Sequence, residues 1–200
     1  MKLFYYPGAS SLAVHIVLRE TGQEFELEKV DIRTGETESG QDYLAINPHG
    51  YVPALVLEDG EVVTEVVVIM QYLVDSRPDC GLATQVGSRE RVRLQQRLNY
   101  LTTEVHKSFS PLFRDSSEDE KTAAVASVRR HFGYLNDVLE KRDWLLGGQY
   151  SLADIYLFVL ANWTQPVGIG LDAWPHIRSL SEKIAVRPAV LQAMKTEGLI

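Results

Sequence analysis

The chain has 200 residues, 45% of them hydrophobic and 24% charged, and a formal net charge of −7. That length allows one large domain or two small ones, each burying a core, and no window holds the roughly 18 apolar residues of a membrane span. The acidic balance argues against nucleic acid as a partner, since affinity for phosphate backbones comes from clustered cations.

The chain opens on MKLFYYPGASS, which lacks the apolar stretch and cleavage site of a secretory signal, so a cytoplasmic protein is expected. KLFYY is a β-strand pattern, and a helix is expected from Ser11 to about Thr21. Between them stand two adjacent hydroxyls, Ser10 and Ser11. Serine is a preferred helix N-cap, and a hydroxyl at the positive end of a helix can also steady an anion. A second strand, ELEKVD, leads into a polar stretch.

NPHGYVPALVLEDGEVVT comes next. Pro53 has no N–H and is tolerated at a strand start or edge. A cis Val52-Pro53 bond would turn the Val52 N–H and C=O outward, free to pair with an extended peptide-like ligand; a rigid turn without function is the alternative. Asp59-Gly60 is a type I′ hairpin signal. A helix is then expected from Glu65 to about Ser76, and its first-turn amides suit a carboxylate.

After SRPDCGLATQVG, which holds the single cysteine, Cys80, the pattern becomes helical throughout. One cysteine cannot form an internal disulfide, and no Cys or His close in sequence suggests a metal site. Helices are expected near 88–112, 117–140, 151–166 and 174–185, with a last turn over 188–195. Arg89, Arg91, Arg93 and Arg97 gather on the first of these, as a solvated face or a contact surface. Ser117 with Glu120 and Ser151 with Asp154 have capping-box spacing. Asn99, Thr103 and His106 are spaced i, i+4, i+7 beside an apolar face of Leu94, Leu98, Leu101 and Val105, a location suited to a site between two domains.

In this order and spacing, MKLFYYPGASSLAVHIVLRE, NPHGYVPALVLEDG, TEVVVIMQYL, Asn99 and His106 in LNYLTTEVHKSF, GGQYSLADIYLF and VRPAV resemble the bacterial beta class of glutathione transferases over essentially the whole chain. The resemblance implies a combined α/β and all-α fold. An N-terminal thioredoxin-like glutathione-binding domain, βαβαββα over residues 1–80, would precede a helical bundle over 88–200 that shapes an apolar co-substrate pocket. It also implies a homodimer that conjugates glutathione, as co-substrate and without metal or other cofactor, to small apolar electrophiles in a detoxification role.

Residue by residue, the resemblance assigns catalysis to Ser10, Ser11 or His106. It assigns glutathione binding to Val52, Pro53, Glu65, Val66 and Asn99, with Arg33 the nearest cation where the family has a lysine near position 35. Tyr5, Phe109, Phe113 and Trp163 are the proposed co-substrate pocket. The family cysteine is Ser10 here. A hydroxyl cannot form a mixed disulfide, which counts against thiol-disulfide exchange. Val66 replaces a frequent serine, leaving only backbone donors for the γ-glutamyl end. A glutathione- or apolar-ligand-binding protein with little turnover is the competing reading.

Overall fold

A computed structural model describes residues 1–200. Two compact units emerge, one formed by Met1–Ala83 with Arg187–Ile200 and the other by Thr84–Val186.

In the first unit, β1 (Lys2–Tyr5), β2 (Glu26–Asp31), β3 (Glu36–Thr37), β4 (Ala54–Val56) and β5 (Val62–Thr64) form one sheet in the order β3-β2-β1-β4-β5. The β1–β2 pair is parallel and the other pairs are antiparallel. The parallel pair needs a crossover, which α1 (Ser11–Glu20) supplies. Side chains alternate across β1. Phe4 packs with Val30, Tyr43 and Ala54 in one cluster, while the Tyr5 ring meets that of His15 from α1. Helix α2 (Val66–Asp75) comes after β5 and packs on α1. The second helix of the expected βαβαββα pattern is a single 3₁₀ turn, Tyr43–Ala45.

The β4–β5 connection is not the type I′ turn that Asp59-Gly60 suggests. Leu57 C=O accepts from Gly60 N–H, Leu57 N–H donates to Glu61 C=O, and only Gly60 of the pair has positive φ, at 89°. That is a three-residue loop closed by a glycine bulge, with Asp59 Oδ1 holding Glu61 N–H at 3.0 Å.

In the second unit, α3 (Arg89–Tyr100) starts at the Ser88 cap, whose hydroxyl accepts from Arg91 N–H at 3.0 Å. The expected single helix over 88–112 changes form midway. Leu101–His106 is a π-helical segment, succeeded by the short α4 (Lys107–Phe109) and a 3₁₀ turn over Ser110–Leu112. Arg91 turns inward and is buried, so the four arginines do not form one solvated stripe.

Helix α5 (Glu118–Leu139) begins at the expected Ser117–Glu120 capping box. Helix α6 (Leu152–Asn162) is buried from Leu152 to Ala161 and begins at the Ser151–Asp154 box. Asp154 accepts from the N–H groups of Leu145 and Ser151 and from the Ser151 hydroxyl; burial raises its pKa to about 6 against those bonds. Helix α7 (Pro175–Ala185) completes this unit, packing on α5 and α6.

The last helix, α8 (Pro188–Thr196), groups with the first unit, where the sequence boundary of 88–200 had assigned it to the helical domain. It packs on α1 through buried polar partners. His15 Nδ1 lies 2.8 Å from Glu197 Oε1, Glu197 Oε2 accepts from Gly8 N–H at 2.9 Å, and Arg19 donates to His15 Nε2 at 2.9 Å. Arg187 pairs with Glu20 at 2.7 Å. No helix is long and apolar enough to cross a membrane.

Candidate functional site

The sheet register gathers three segments of the first unit. Phe4 pairs with Ala54 and Ala54 pairs with Thr64. The end of β1, the start of β4 and the end of β5 therefore lie side by side. So do the elements attached to them: the loop into α1, Val52-Pro53, and Glu65-Val66.

The two serines do different work. Ser11 is fully buried, and its hydroxyl sits 3.2 Å from Tyr6 C=O, to which it donates, and 3.3 Å from Tyr6 N–H, from which it accepts. It staples the strand-to-helix loop, and the catalytic role considered for it is withdrawn: a hydroxyl fully spent on backbone has nothing to offer a substrate. Ser10 occupies the N-cap position of α1, yet its side chain caps nothing, because its own backbone is already helical at φ −59°, ψ −21°. It is 5% exposed and donates instead to Val52 C=O at 3.2 Å.

The Val52-Pro53 peptide is cis. Val52 N–H has no partner in the fold, while the preceding Tyr51 C=O is held by the Tyr43 hydroxyl and Asn47 Nδ2, both at 2.7 Å. The segment thus presents one open donor from a braced backbone. Of the outward pair expected from sequence, the carbonyl is occupied by Ser10.

Glu65 is the one non-glycine residue with positive φ, at φ 69° and ψ 111°. Such conformers cost on the order of 1–3 kcal/mol and persist where the surroundings enforce them. Its carboxylate is exposed and unpaired, and the Val66 and Val67 N–H groups at the start of α2 are free. Arg33 lies in the exposed turn after β2 and forms no ion pair. Gly35 has φ +73°, and an added Cβ would meet Leu44 Cγ at 3.6 Å, so a lysine there would be strained whatever the space. Tyr5 is nearly buried, and its pKa is raised by burial, then by Glu197 and Glu38.

In the second unit His106 is half-buried, its Nδ1 2.6 Å from the Tyr156 hydroxyl. Burial, and secondarily Lys107, lowers its pKa to about 4, so the imidazole is neutral at pH 7. Asn99 and Thr103 are exposed, with the Thr103 hydroxyl donating to Asn99 C=O. The i, i+4, i+7 stripe is broken because π-helical turns add a residue and displace the later side chains by about 100°. Phe113 and Trp163 pack edge-on at 5.5 Å, and His106 meets Trp163 at 4.8 Å. Phe109 touches both Phe113 and Trp163 and is fully buried, a ring of the core.

Sequence reasoning missed Tyr156 and Glu197. A tyrosine inside the apolar run IYLF, whose hydroxyl must find a buried partner, was the available signal for the first. Nothing local pointed to the second.

A model of the glutathione S-transferase N-terminal domain matches residues 9–76, and one of the glutathione S-transferase C-terminal domain matches residues 100–188. Over 200 residues, with both proteins fully covered, the chain is 46% identical to Glutathione S-transferase GstA of Escherichia coli O157:H7. Among solved structures it is similar to a sphingomonad glutathione S-transferase complexed with glutathione, at 49% identity and TM-score 0.96, both chains fully covered. It is also similar to a bacterial beta class glutathione S-transferase of Sphingomonas chungbukensis, at 47% identity and TM-score 0.98, again with full coverage of both.

Proposed function

The chain belongs to the glutathione S-transferase family and is a glutathione transferase, and from that premise we propose how its own residues hold and activate glutathione. The observation that carries the reading is the meeting at one end of strands β1, β4 and β5 of the Ser10 hydroxyl, the open Val52 N–H and the first-turn amides of α2.

Val52, with Pro53 behind it, pairs with the cysteinyl backbone of glutathione. Glu65 and the Val66 amide take the γ-glutamyl end, its ammonium facing the unpaired carboxylate and its carboxylate facing the helix N-terminus. Arg33, the cation nearest in sequence to the family's lysine position, is assigned to the remaining carboxylate on the resemblance. Ser10 then turns its hydroxyl from Val52 C=O to the sulfur. A free thiol with pKa about 8.5 is only a few per cent ionised at pH 7, and one charge-assisted hydrogen bond with the α1 dipole supplies about 2–4 kcal/mol toward the thiolate. The thiolate attacks an electrophilic carbon, forming the C–S bond as the leaving group or the π electrons depart.

His106 is assigned as a second donor to sulfur and Asn99 as a peptide contact, both on the resemblance. Phe113, Trp163 and Tyr5 are assigned to a small apolar electrophile, which fits a detoxification role. Thiol-disulfide exchange has no sulfur to work with at Ser10, and Cys80 lies beyond the far end of α2, about 15 Å of helix from Val66. Reduced glutathione ties the reaction to a reducing compartment, and we place the protein in the cytoplasm. A homodimer is carried on the resemblance, with the half-exposed Val68 and Tyr72 of α2 as interface candidates.

The test is the ultraviolet absorbance of bound glutathione thiolate against pH, with conjugation measured across a panel of electrophiles. A bound pKa well below 8.5 and turnover on the panel are expected. An unshifted pKa with saturable binding would favour the binding-protein reading.

A further inference from the structure

The peptide group joining Tyr51 to Val52 is held on one side and open on the other. Its carbonyl accepts from the Tyr43 hydroxyl and from Asn47 Nδ2, both at 2.7 Å. A carbonyl oxygen has two lone pairs, so two donors saturate it. The Asn47 amide can stand only one way round, because its Oδ1 accepts from His49 N–H at 3.2 Å while its Nδ2 faces a carbonyl.

Both donors are themselves fixed. Tyr43 is fully buried, and its ring packs with Phe4 of β1, Val30 of β2 and Ala54 of β4, the Phe4 ring 5.5 Å away. Burial raises its pKa, so the phenol keeps the proton it donates. Asn47 is 3% exposed and tied to the same turn, its own N–H donating to Tyr43 C=O at 2.8 Å. Through these two side chains the core of the sheet reaches the loop.

A peptide group is planar, and this one is trans, so its N–H points opposite to its C=O. Turning the Val52 N–H therefore means swinging the Tyr51 C=O off both donors, and hydrogen bonds weaken steeply with such misalignment. We infer that Tyr43 and Asn47 are positioning residues for glutathione, which clamp the Tyr51 carbonyl and so aim the Val52 N–H before the ligand arrives. On the reading that Val52 N–H pairs with the cysteinyl backbone, a donor aimed in advance loses little freedom on binding, and its bond goes into affinity. Ser10 bonds to the next peptide group, at Val52 C=O, so the brace and the sulfur-activating hydroxyl act on different groups. The brace governs how tightly glutathione is held, and Ser10 how far its thiol ionises.

Tyr51-Val52 is the only Tyr-Val step in the sequence. Full-length protein carrying ¹³C at tyrosine carbonyls and ¹⁵N at valine therefore shows one carbonyl–amide cross-peak in its NMR spectrum, from this peptide group. Titration with reduced glutathione should move the amide proton of that peak downfield as Val52 N–H gains a partner. Tyr43→Phe removes one donor and keeps the core ring. Asn47→Asp keeps the shape and the acceptor for His49 N–H but sets an oxygen where Nδ2 donated. Both should shift the carbonyl frequency of the peak before glutathione is added. Tyr43→Phe should raise Kd and KM for glutathione about threefold and Asn47→Asp about tenfold, the range of one hydrogen bond. In both, kcat at saturating glutathione and the bound thiol pKa should stay within about twofold and about 0.3 units. Unchanged glutathione affinity in the folded variants, with the Val52 amide still moving on binding, overturns the positioning role and leaves the Val52 contact standing. A kcat loss as large as the rise in KM overturns it too. An amide proton that stays in place in the unsubstituted protein through saturable binding removes the Val52 contact itself. If Asn47→Asp folds poorly, Tyr43→Phe alone decides.

Discussion

Removing the Ser10 hydroxyl should raise the pKa of bound glutathione by about one unit. In the unliganded fold that hydroxyl is engaged with Val52 C=O at 3.2 Å, so activating the sulfur exchanges one bond for another. The bond given up is neutral and worth about 0.5–1.5 kcal/mol, while the bond gained is to a charge and worth about 1.5–3. The difference centres on about 1.3 kcal/mol, close to one pKa unit. Ser10→Ala should therefore cut the thiolate fraction nearly tenfold at pH values well below the bound pKa and scarcely at all above it. Conjugation rate should track the same curve. Since the Ser10 side chain caps no helix amide, the variant should keep α1 intact, which far-ultraviolet circular dichroism checks. The assay is thiolate absorbance of the glutathione complex from pH 5 to 10, run beside the conjugation rate. An unchanged thiol pKa, or a rate loss that is the same at every pH, would refute the exchange.

Ser11→Ala should act on stability instead. The Tyr6 C=O keeps the Ala9 N–H at 3.0 Å, but the Tyr6 N–H loses its partner, which costs about 1–3 kcal/mol by urea unfolding, with kcat of the folded protein nearly unchanged; a large kcat loss at full stability would restore Ser11 to the chemistry. Glu65→Gly should do the reverse, relieving about 1 kcal/mol of backbone strain while raising KM for glutathione roughly tenfold, and an unaltered KM would remove Glu65 from the site. Acid should weaken the fold through His106. Its folded pKa of about 4 lies below the ordinary 6.5, so between those pH values the unfolded chain takes up a proton that the native chain refuses. Stability then falls as pH drops from 6.5 to 4, by at most about 3 kcal/mol from this group. His106→Asn should lose that part of the dependence, and urea midpoints at pH 7 and pH 4.5 that shift equally in both proteins would contradict it.

The features legible in the sequence were mostly local. The two capping boxes, the strand before Ser10 and the helix after Glu65 all rest on neighbours within a few residues, and the structure has them in place. Local signals failed where a choice depended on something distant. Ser10 and Ser11 have the same side chain, and only the Val52 carbonyl, 42 residues away, and the Tyr6 backbone separate their roles. Helical spacing placed His106 with Asn99 and Thr103 because an α-helix was assumed throughout; a π segment has no comparable residue signature. Asp59-Gly60 marked the hairpin correctly but not its loop type, which Leu57 and Glu61 decide by closing one residue wider. The last helix carries the periodicity of any amphipathic helix, and periodicity does not say which core it joins. That is settled by Glu197 finding His15 across 182 residues.

That last attachment sets an order of events. Gly8, two residues before Ser10, is fastened by Glu197, 189 positions further along the chain. At a synthesis rate of about 5–20 residues per second, roughly 10–40 s separate the appearance of the two. Through that interval the buried face of α1 has no α8 to cover it and His15 has no carboxylate. The loop that holds Ser10 is thus among the first parts of the protein to be made and among the last to be secured.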